Sequence, residues 1–233
     1  NNNIIGHYAL IPIKIRLYND EFRAALSVFT AVDKEYRGMY LFNELASKSF
    51  EIAKTSVYCF ILLTFSSVFL LRFFNPPFTS FMVWESKFFQ KQIDYNWTPI
   101  PYLGENIALS VVASEDSSFC DHIGIDIKEI YKVISGGEKR GASTITQQLA
   151  KNLFLWPGRS WTRKFIELYI TFLLEISVPK RRILEIYLNT VETSFLTFGV
   201  SQASEKYYKK PSNKLTKEQA IRIALTFPHD FVL

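Results

Sequence analysis

Arg140-Gly-Ala-Ser-Thr-Ile-Thr-Gln-Gln-Leu-Ala-Lys-Asn152 is the stretch of this chain that says most about its fold. Apolar residues recur at positions 145, 149 and 153, and this spacing predicts a helix over residues 144–153. Hydroxyls, amides and one lysine form its polar flank, contributed by Thr144, Gln147, Gln148 and Lys151. Hydroxyls and amides hydrogen-bond sugars well, and a lysine attracts an anion. The flank therefore predicts binding of a polar, anionic ligand, and an ordinary solvated helix face is the alternative.

Helical patterns extend on both sides of this stretch and predict a mainly α domain over residues 106–233. The other predicted helices cover residues 107–113, a short segment after Asp126, and residues 162–176, 180–189, 200–208 and 220–227. Pro179 suits the start of the helix over 180–189, and Thr216-Lys-Glu-Gln219 has the pattern of a capping box before the last helix. The sequence contains no evident strand ladder, internal repeat or low-complexity tract.

An uncharged run of 17 residues, 55–71, precedes this domain. At about 1.5 Å per residue the run is slightly short for a hydrocarbon core of about 30 Å, but Arg72 can snorkel and let two phenylalanines extend the span. The run predicts one transmembrane helix over residues 55–74, and a buried core helix is the alternative. A cleaved signal peptide is disfavoured because the run begins after 54 residues of other sequence.

The segments that flank the span are less informative. Residues 1–54 are predicted to be an N-terminal tail. Lys48 and Lys54 precede the span while Arg72 and Lys87 follow it, so the distribution of basic residues favours a cytoplasmic N-terminus only weakly. Residues 75–105 are predicted to be a juxtamembrane connector. Its aromatic side chains suit a bilayer interface, and they equally suit a connector packed on the following domain.

Basic residues concentrate in the second half of the chain. From residue 139 to residue 182 there are nine Lys or Arg residues against two glutamates. Such a segment attracts an anion, which can be nucleic acid, a phospholipid headgroup or a phosphorylated substrate. Cys59 lies in the apolar run and Cys120 in a polar loop, so we expect no disulfide between them, and no Cys/His spacing resembles a zinc site.

Two glutamates are candidate catalytic groups. Glu115 directly follows an apolar helix, where partial desolvation favours a general acid or base, and the alternative is a solvated glutamate at a helix end. Glu167 lies in mid-helix, four residues after Arg163, so the alternative for it is a surface ion pair. Paired carboxylates serve glycosyl chemistry, in which one manages a proton and the other assists the developing charge or the leaving group. Together with the basic segment, they indicate chemistry on a sugar that bears a phosphate.

Two other catalytic or binding motifs match this chain only in part, so neither predicts a site. Gly136-Gly-Glu-Lys-Arg-Gly141 has the glycine spacing of a phosphate loop, but Ala142 and Ser143 follow it in place of the required Lys and Ser/Thr. Ser177-Val-Pro-Lys180 fits the acyl-serine motif without its Lys-Thr-Gly partner.

The polar loop that follows Glu115 holds several groups that could ligate a cation. His122 has no evident metal partner in the sequence. Asp116, Asp121 and Asp126 suit turns and helix caps better than a cation. No metal site is predicted from the residues.

Four segments, taken in order, resemble the peptidoglycan glycosyltransferases, specifically the monofunctional biosynthetic transglycosylases of bacterial inner membranes. The likeness runs from about Phe73 to Pro228, and the second segment is long and highly specific. The segments are Glu115-Asp-x-x-Phe119-x-x-His122-x-Gly124, Gly141-x-Ser-Thr-x-Thr-Gln-Gln-Leu-x-Lys-Asn152, Arg163-Lys-x-x-Glu167 and Arg182-Ile-Leu-Glu-x-Tyr-Leu-Asn189.

The resemblance implies a lysozyme-like helical fold and polymerisation of lipid II into β-1,4-linked glycan strands with release of undecaprenyl diphosphate. Glu115 would be the general base of an inverting displacement, and Glu167 would assist near the diphosphate. Lys151, Arg159 and Arg163 would bind the phosphates. Phe119 and His122 would shape the first-motif wall of the cleft, and the other cleft residues implied are Ser143, Thr144, Gln147, Gln148 and Asn152.

The resemblance also implies a setting. It places the protein in the inner membrane as a single-pass chain, with a cytoplasmic N-terminus and a periplasmic catalytic domain. The expected partners are lipid II, the growing lipid-linked glycan chain, membrane lipid and cell-wall synthesis proteins, and nucleic acid is not among them. The residues require no cofactor, and the resemblance allows a divalent cation, Mg²⁺ or Mn²⁺.

Two alternatives in function remain open, and the chain departs from the family in places. A lysozyme-like muramidase would share the fold and Glu115, but a neutral glycan needs no cationic diphosphate site; a catalytically decayed interaction module is the second alternative. Pro179 stands where the family usually has serine before Lys180. Thr193, Ser194 and Leu196 occupy a loop that usually contains glycine, so we expect distortion there.

Overall fold

The computed structural model describes residues 6–17, 20–32, 41–90, 93, 95–136, 141–158 and 160–227, with side chains from residue 47 onward except at 134. The chain divides into two compact units, residues 1–63 and residues 64–233. One helix, α1 (Leu41–Leu70), runs from the first unit into the second.

The first unit contains an antiparallel hairpin of β1 (Gly6–Leu17) and β2 (Asp20–Val32), in which Leu17 pairs with Asp20 next to the turn. The analysis of the sequence assigned no strand to this tail. The alternation Ile13-Lys-Ile-Arg-Leu17 is the strand signal that could have identified it, because apolar and polar residues alternate with period two.

A helix is present at the predicted membrane span; it begins earlier than expected and ends at Leu70 rather than at residue 74. Residues Ser47–Leu70 form one apolar helical segment of 24 residues that is long enough to cross a bilayer, and only 6% of its most apolar window is buried. A buried core helix, the alternative, does not fit that exposure. The helix begins 14 residues before position 55, since Leu41 is its first residue.

The second unit is mainly helical, as predicted. Its helices are α2 (Ser80–Phe89), α3 (Ile100–Leu103), α4 (Glu105–Glu115), α5 (Ile127–Gly136), α6 (Ile145–Phe154), α7 (Trp161–Ser177), α8 (Lys180–Thr190), α9 (Val200–Tyr208) and α10 (Lys217–Ala224). A short hairpin of β3 (Glu192–Ser194) and β4 (Thr197–Phe198) joins α8 to α9. The helices that the hydrophobic periodicity predicted agree with these to within a few residues at each end.

Side-chain caps fix where several of these helices begin. The hydroxyl of Thr144 accepts from the backbone of Gln147, whose side chain returns to the Thr144 backbone N–H, so α6 begins with a capping box. Thr216 and Gln219 form the predicted capping box of α10. Pro179 precedes α8 with φ −60°, so the helix starts normally despite the departure from the family's serine.

The core of this unit forms around α6, which packs against α2, α7 and α8. Ile145 and Leu149 of α6 are fully buried, together with Leu174 of α7 and Ile186 of α8. The predicted inward face of α6 is therefore confirmed. On the polar flank, Thr144, Gln147 and Gln148 are also buried and Lys151 is half-buried, so the alternative of an ordinary solvated face is wrong.

Two local features differ from the expectations. Helix α2 forms inside the predicted connector, capped by Thr79 after the prolines, because the prolines exclude helix only up to residue 77. Leu196 takes a left-handed backbone with φ 55° in the turn between β3 and β4, where the family usually has glycine. Loss of that glycine therefore leaves a strained residue at the turn, as expected.

Candidate active site

A chain of hydrogen bonds leads from the core to Glu115. The Gln148 amide nitrogen Nε2 donates to Glu115 Oε2 over 2.9 Å, and Gln148 Oε1 accepts from the Tyr187 hydroxyl over 2.6 Å. Tyr187 is fully buried in α8 and Gln148 is buried in α6. Gln148 therefore holds the Glu115 carboxylate in a fixed orientation at the end of α4.

The other polar residues at the start of α6 serve the helix itself. The Thr144 hydroxyl donates to the Gly124 carbonyl over 2.6 Å while it caps α6, and Gln147 completes the capping box. Both side chains are buried. They therefore shape the wall of the site from behind, and Gln148 is the member of the predicted set that contacts Glu115.

Asp116 ties the first motif to the same helix start. Its Oδ2 accepts from the backbone N–H of Ile145 over 3.0 Å, and its Oδ1 lies 2.8 Å from His122 Nε2. His122 is largely buried, and within the described residues its Nδ1 has no hydrogen-bond partner. The predicted role of His122 in shaping the first-motif wall thus has a physical basis, which is orientation of Asp116.

The expectation that no potential metal ligand lies near His122 is wrong. Ligand atoms of Asp116, His122 and Asp126 lie within 4.8 Å of one another. Protein donors already occupy these carboxylates. Both Asp116 oxygens are used, and Asp126 Oδ1 accepts from the Glu129 backbone over 2.9 Å. The hydrogen bond from the Glu129 backbone holds the pKa of Asp126 below its usual range. The cluster does not fit a divalent cation, because a cation would have to displace these donors.

Glu167 is a buried carboxylate between two cations, with a side chain that is 3% exposed. Arg163 Nη1 lies 3.4 Å from its Oε2, and Lys164 Nζ donates to its Oε1. The alternative of a surface ion pair is therefore wrong. An unpaired charge at a buried position costs free energy. Glu167 is therefore stable there only because Arg163 and Lys164 supply opposite charge.

A second buried carboxylate, which the sequence analysis did not assign to the site, lies two turns farther along α7. Glu175 Oε1 accepts from Lys180 Nζ over 2.9 Å and from the Thr146 hydroxyl over 2.5 Å. The Lys180 ammonium lies 4.5 Å from the centre of the Phe119 ring. Phe119 is thus buried beneath Lys180 and supports the first motif from inside. The four-residue spacing of Glu167, Thr171 and Glu175 was the available signal for Glu175.

The remaining candidate residues lie near the end of α6. Lys151 and Asn152 are half-buried there, and Ser143 is half-buried just before the helix. The Ser80 hydroxyl of α2 donates to the carbonyls of Asn152 and Leu155 over 3.2 and 2.8 Å, which fixes α2 to this end. Arg159 lies outside the described residues, so its phosphate role stays a prediction.

Comparison with known proteins shows the family of this chain. Residues 85–229 match the family described as transglycosylase. A biosynthetic peptidoglycan transglycosylase of Haemophilus influenzae is 40% identical over 187 residues, which are 76% of this chain and 76% of that protein. One from Mannheimia succiniciproducens is 42% identical over 184 residues (74% and 75%), and one from a Marinomonas species is 44% identical over 173 residues (72% and 75%).

Proposed function

The chain belongs to the transglycosylase family and is a membrane-anchored peptidoglycan glycosyltransferase with a lysozyme-like helical domain; we propose that Glu115 is its general base. The observation that carries the assignment is the 2.9 Å hydrogen bond from Gln148 to Glu115. A donor fixed from behind orients the carboxylate, and an oriented carboxylate can accept a proton from a substrate hydroxyl within hydrogen-bond reach.

The proposed reaction is an inverting displacement. Glu115 takes the proton from the 4-hydroxyl of the acceptor sugar as that oxygen attacks the anomeric carbon of the lipid-linked donor chain. The bond between the anomeric carbon and the diphosphate oxygen breaks, and undecaprenyl diphosphate leaves with the bonding electron pair. Attack on the face opposite the leaving group inverts the anomeric centre and gives a β-1,4 linkage.

The proposed diphosphate site is cationic. Lys151, Arg159 and Arg163 bind the phosphates, and their positive charge lowers the free energy of the departing anion. Glu167 assists by orienting Arg163 and Lys164, with which it forms ion pairs. This role explains why a carboxylate is useful near an anion, because the two cations together exceed its single negative charge.

The proposed topology has the N-terminus in the cytoplasm and the catalytic domain on the periplasmic side of the inner membrane. Within this scheme residues 1–54 are a tail, 55–74 the span, 75–105 a connector and 106–233 the catalytic domain. Lipid II carries its sugars on the periplasmic face during polymerisation, so this orientation brings enzyme and substrate together. Other cell-wall synthesis proteins are the proposed protein partners.

The rival functions make different predictions for purified protein given lipid II. A synthase forms polymer, a muramidase cleaves preformed glycan, and a decayed module does neither. We expect polymer from the unaltered chain and a loss of about 10²–10⁴-fold in kcat from Glu115→Gln, the range for a lost general base. Binding of lipid II should be retained.

The matched control is Glu105→Gln, which alters an exposed glutamate at the other end of α4. It should polymerise lipid II at the normal rate. Near-normal turnover by Glu115→Gln would refute the base assignment, and cleavage of glycan by the unaltered chain would refute the synthase.

A further inference from the structure

Arg182, in the first turn of α8, binds the chain at the end of the membrane helix. Its guanidinium donates from Nε to the Leu71 carbonyl over 2.9 Å and from Nη2 to the Phe74 carbonyl over 2.9 Å. Nη2 also donates to Asn75 Oδ1 over 2.8 Å. The three acceptors come directly after α1, which ends at Leu70, so one side chain of α8 holds the segment in which the membrane helix terminates.

This contact supplies the positive charge that the end of α1 lacks. The last carbonyls of a helix have no partner within the helix and form the negative end of its dipole, so a nearby cation stabilises them. The last turn of α1 contains no basic residue. Arg72 follows that turn, but it is exposed and lies over the Phe73 ring. Arg182 therefore caps this helix end from a position 111 residues away from Leu71 in the chain.

Glu185 extends the contact to a second segment. Arg182 Nη1 donates to Glu185 Oε2 over 2.7 Å, and Glu185 Oε1 accepts from the Ile100 backbone N–H over 2.9 Å. Both side chains of this pair are 15% exposed, and Arg182 Cζ lies 5.0 Å from the centre of the Trp97 ring. Because these hydrogen bonds involve charged groups that are largely shielded from water, they hold residues 71–75 and Ile100 firmly against α8.

Helix α8 has different partners on its two faces. Arg182, Glu185 and Asn189 are three and four residues apart, so they lie on one face. Asn189 forms two hydrogen bonds with the Thr98 backbone, over 2.7 and 2.9 Å. Tyr187 lies on another face, where it is fully buried and supports the proposed base through Gln148. One helix thus connects the segment after the membrane helix to the support of the active site.

We propose that Arg182 is a positioning residue for the reaction, which fixes the end of the membrane helix to α8 and thereby holds the active site at a constant place relative to that end. A lipid-linked substrate stays in the membrane while its sugar reacts. A site that moved relative to the membrane helix would meet this sugar in the productive geometry for only a fraction of the time. The role in the reaction rests on the proposed function, whereas the joint between α1 and α8 does not.

Other contacts hold the side of α1, and they differ in kind from the joint. The hydroxyls of Thr64 and Tyr169 lie 2.9 Å apart, and Val68 and Leu71 are buried in the core of the domain. These contacts act on side chains up to residue 71. Arg182 binds backbone carbonyls and a side chain from residue 71 to residue 75, so its loss should free the terminal turn even while the side of the helix stays packed.

The first experiment measures the distance between two spin labels in the full chain. Cys59 and Cys120 are exchanged for serine, and the labels are placed at Leu70→Cys and Ile221→Cys, which are both exposed positions. The protein is held in nanodiscs with one copy each, and pulsed electron paramagnetic resonance gives the distribution of distances. A broad distribution indicates that the end of α1 moves relative to the rest of the domain.

Arg182→Ala is compared with Arg181→Ala, which makes the same exchange at the adjacent, exposed arginine of α8. The distribution should be narrow in the unaltered chain and in Arg181→Ala. It should be broader in Arg182→Ala, because the carbonyls after α1 lose their bonds to α8. Equally narrow distributions in the two variants would overturn the proposal.

A double variant guards against loss of folding. Arg182→Ala leaves Glu185 as an unpaired charge at a largely buried position, which destabilises the domain. Arg182→Ala combined with Glu185→Gln removes that charge and keeps an oxygen that can accept from Ile100. The double variant should unfold at close to the normal temperature and should still give the broader distribution. A narrow distribution in this folded variant would also overturn the proposal.

The second experiment separates positioning from a merely structural role. In the double variant, kcat/KM for lipid II in nanodiscs should fall about 10-fold, the effect of one lost hydrogen bond to a charged group. A water-soluble analogue of lipid II with a short lipid chain should be used at the normal rate, since it does not depend on a fixed place relative to the membrane. Arg181→Ala should be normal with both substrates. An equal loss with both substrates would refute the positioning role. If the unaltered chain polymerised neither substrate, the proposed function would fail, while the distance measurement would still test the joint.

Discussion

The Tyr187 hydroxyl lies 2.6 Å from Gln148 Oε1, and this contact determines which end of the Gln148 amide faces Glu115. A hydroxyl that donates to Oε1 leaves Nε2 to donate to Glu115, at 2.9 Å. The reverse orientation of the amide would set its oxygen against the carboxylate, with two acceptors facing each other. Tyr187 is therefore a positioning residue for the proposed base, although its own side chain is fully buried.

Tyr187→Phe should lower kcat/KM about 10-fold, because it removes one hydrogen bond worth about 1–1.5 kcal/mol from the support of Glu115. The loss should appear in kcat while KM is kept, since Tyr187 is fully buried and acts on Glu115 through Gln148. The measurement is polymerisation of lipid II at varied substrate concentration. Tyr207→Phe, at an exposed tyrosine of α9, is the control, and an equal change in kcat and KM or a lowered unfolding temperature would make Tyr187 merely structural.

Glu167→Gln should destabilise the fold by about 3 kcal/mol, because it leaves Arg163 and Lys164 near a buried position without their counter-charge. Chemical denaturation measures the free energy of unfolding. Glu218→Gln alters an exposed pair with Arg222 and should leave that free energy nearly unchanged, because solvent screens the pair. Similar losses of unfolding free energy in the two variants would show that Glu167 does not neutralise the charges of Arg163 and Lys164 as the structure indicates.

Gly124→Ala should destabilise the first motif by about 2 kcal/mol or more. Gly124 has φ +77°, and an added Cβ would meet Thr171 Cγ2 at 2.7 Å and Glu175 Cγ at 2.9 Å. Gly158→Ala separates the two causes, because Gly158 also has positive φ (+123°) but an added Cβ there meets nothing within 4 Å. Thermal unfolding of both variants gives the comparison, and an equal loss in each would mean that crowding at Gly124 contributes nothing.

The carboxyls of Glu85 in α2 and Glu192 in β3 are hydrogen-bonded to each other, and they predict a pH dependence of stability. Burial raises the pKa of Glu192 from 4.5 to about 7, with a further contribution from the Glu85 charge, and burial also raises the pKa of Glu85. Between pH 4.5 and about pH 7, the folded state thus holds more protons than the unfolded chain. Their stabilising contribution is complete below pH 4.5 and is lost as the pH rises through about 7.

Glu192→Gln should flatten this dependence, because an amide keeps the hydrogen-bonded arrangement at every pH. The unfolding temperature of the unaltered chain should fall between pH 5 and 8 by more than that of the variant. Glu105→Gln, at an exposed site, should leave the slope unchanged. Parallel slopes in Glu192→Gln and the unaltered chain would contradict the assignment of the titration to this pair.

The parts of the fold that depend on neighbours in the chain were predictable. Helices α6 and α8–α10 followed from apolar spacing and from caps such as Thr144 and Thr216, since these interactions join residues three or four apart. The membrane helix followed from an uncharged run of sufficient length. Strands β1 and β2 were missed because clear period-two alternation covers only a short part of the hairpin, residues 13–17, in a tail of mixed composition.

The partners within the active site were decided by tertiary packing alone. Glu115, Gln148 and Tyr187 are separated by 33 and 39 positions, and Thr146 lies 29 positions from Glu175. No local pattern encodes such pairs, because they exist only after α4, α6, α7 and α8 close around one core. The pairing of Glu115 and Glu167 in glycosyl chemistry stays a prediction.

The sequence by itself determined the residue types that the chemistry needs: two glutamates, a basic segment and an apolar anchor. Tertiary structure decided which partner each polar side chain has. It buried Thr144 and Gln147 as caps, turned His122 towards Asp116 and buried the two carboxylates of α7. The physical reason is that burial makes every unpaired polar group costly, so packing assigns each one a partner that only the folded chain can supply.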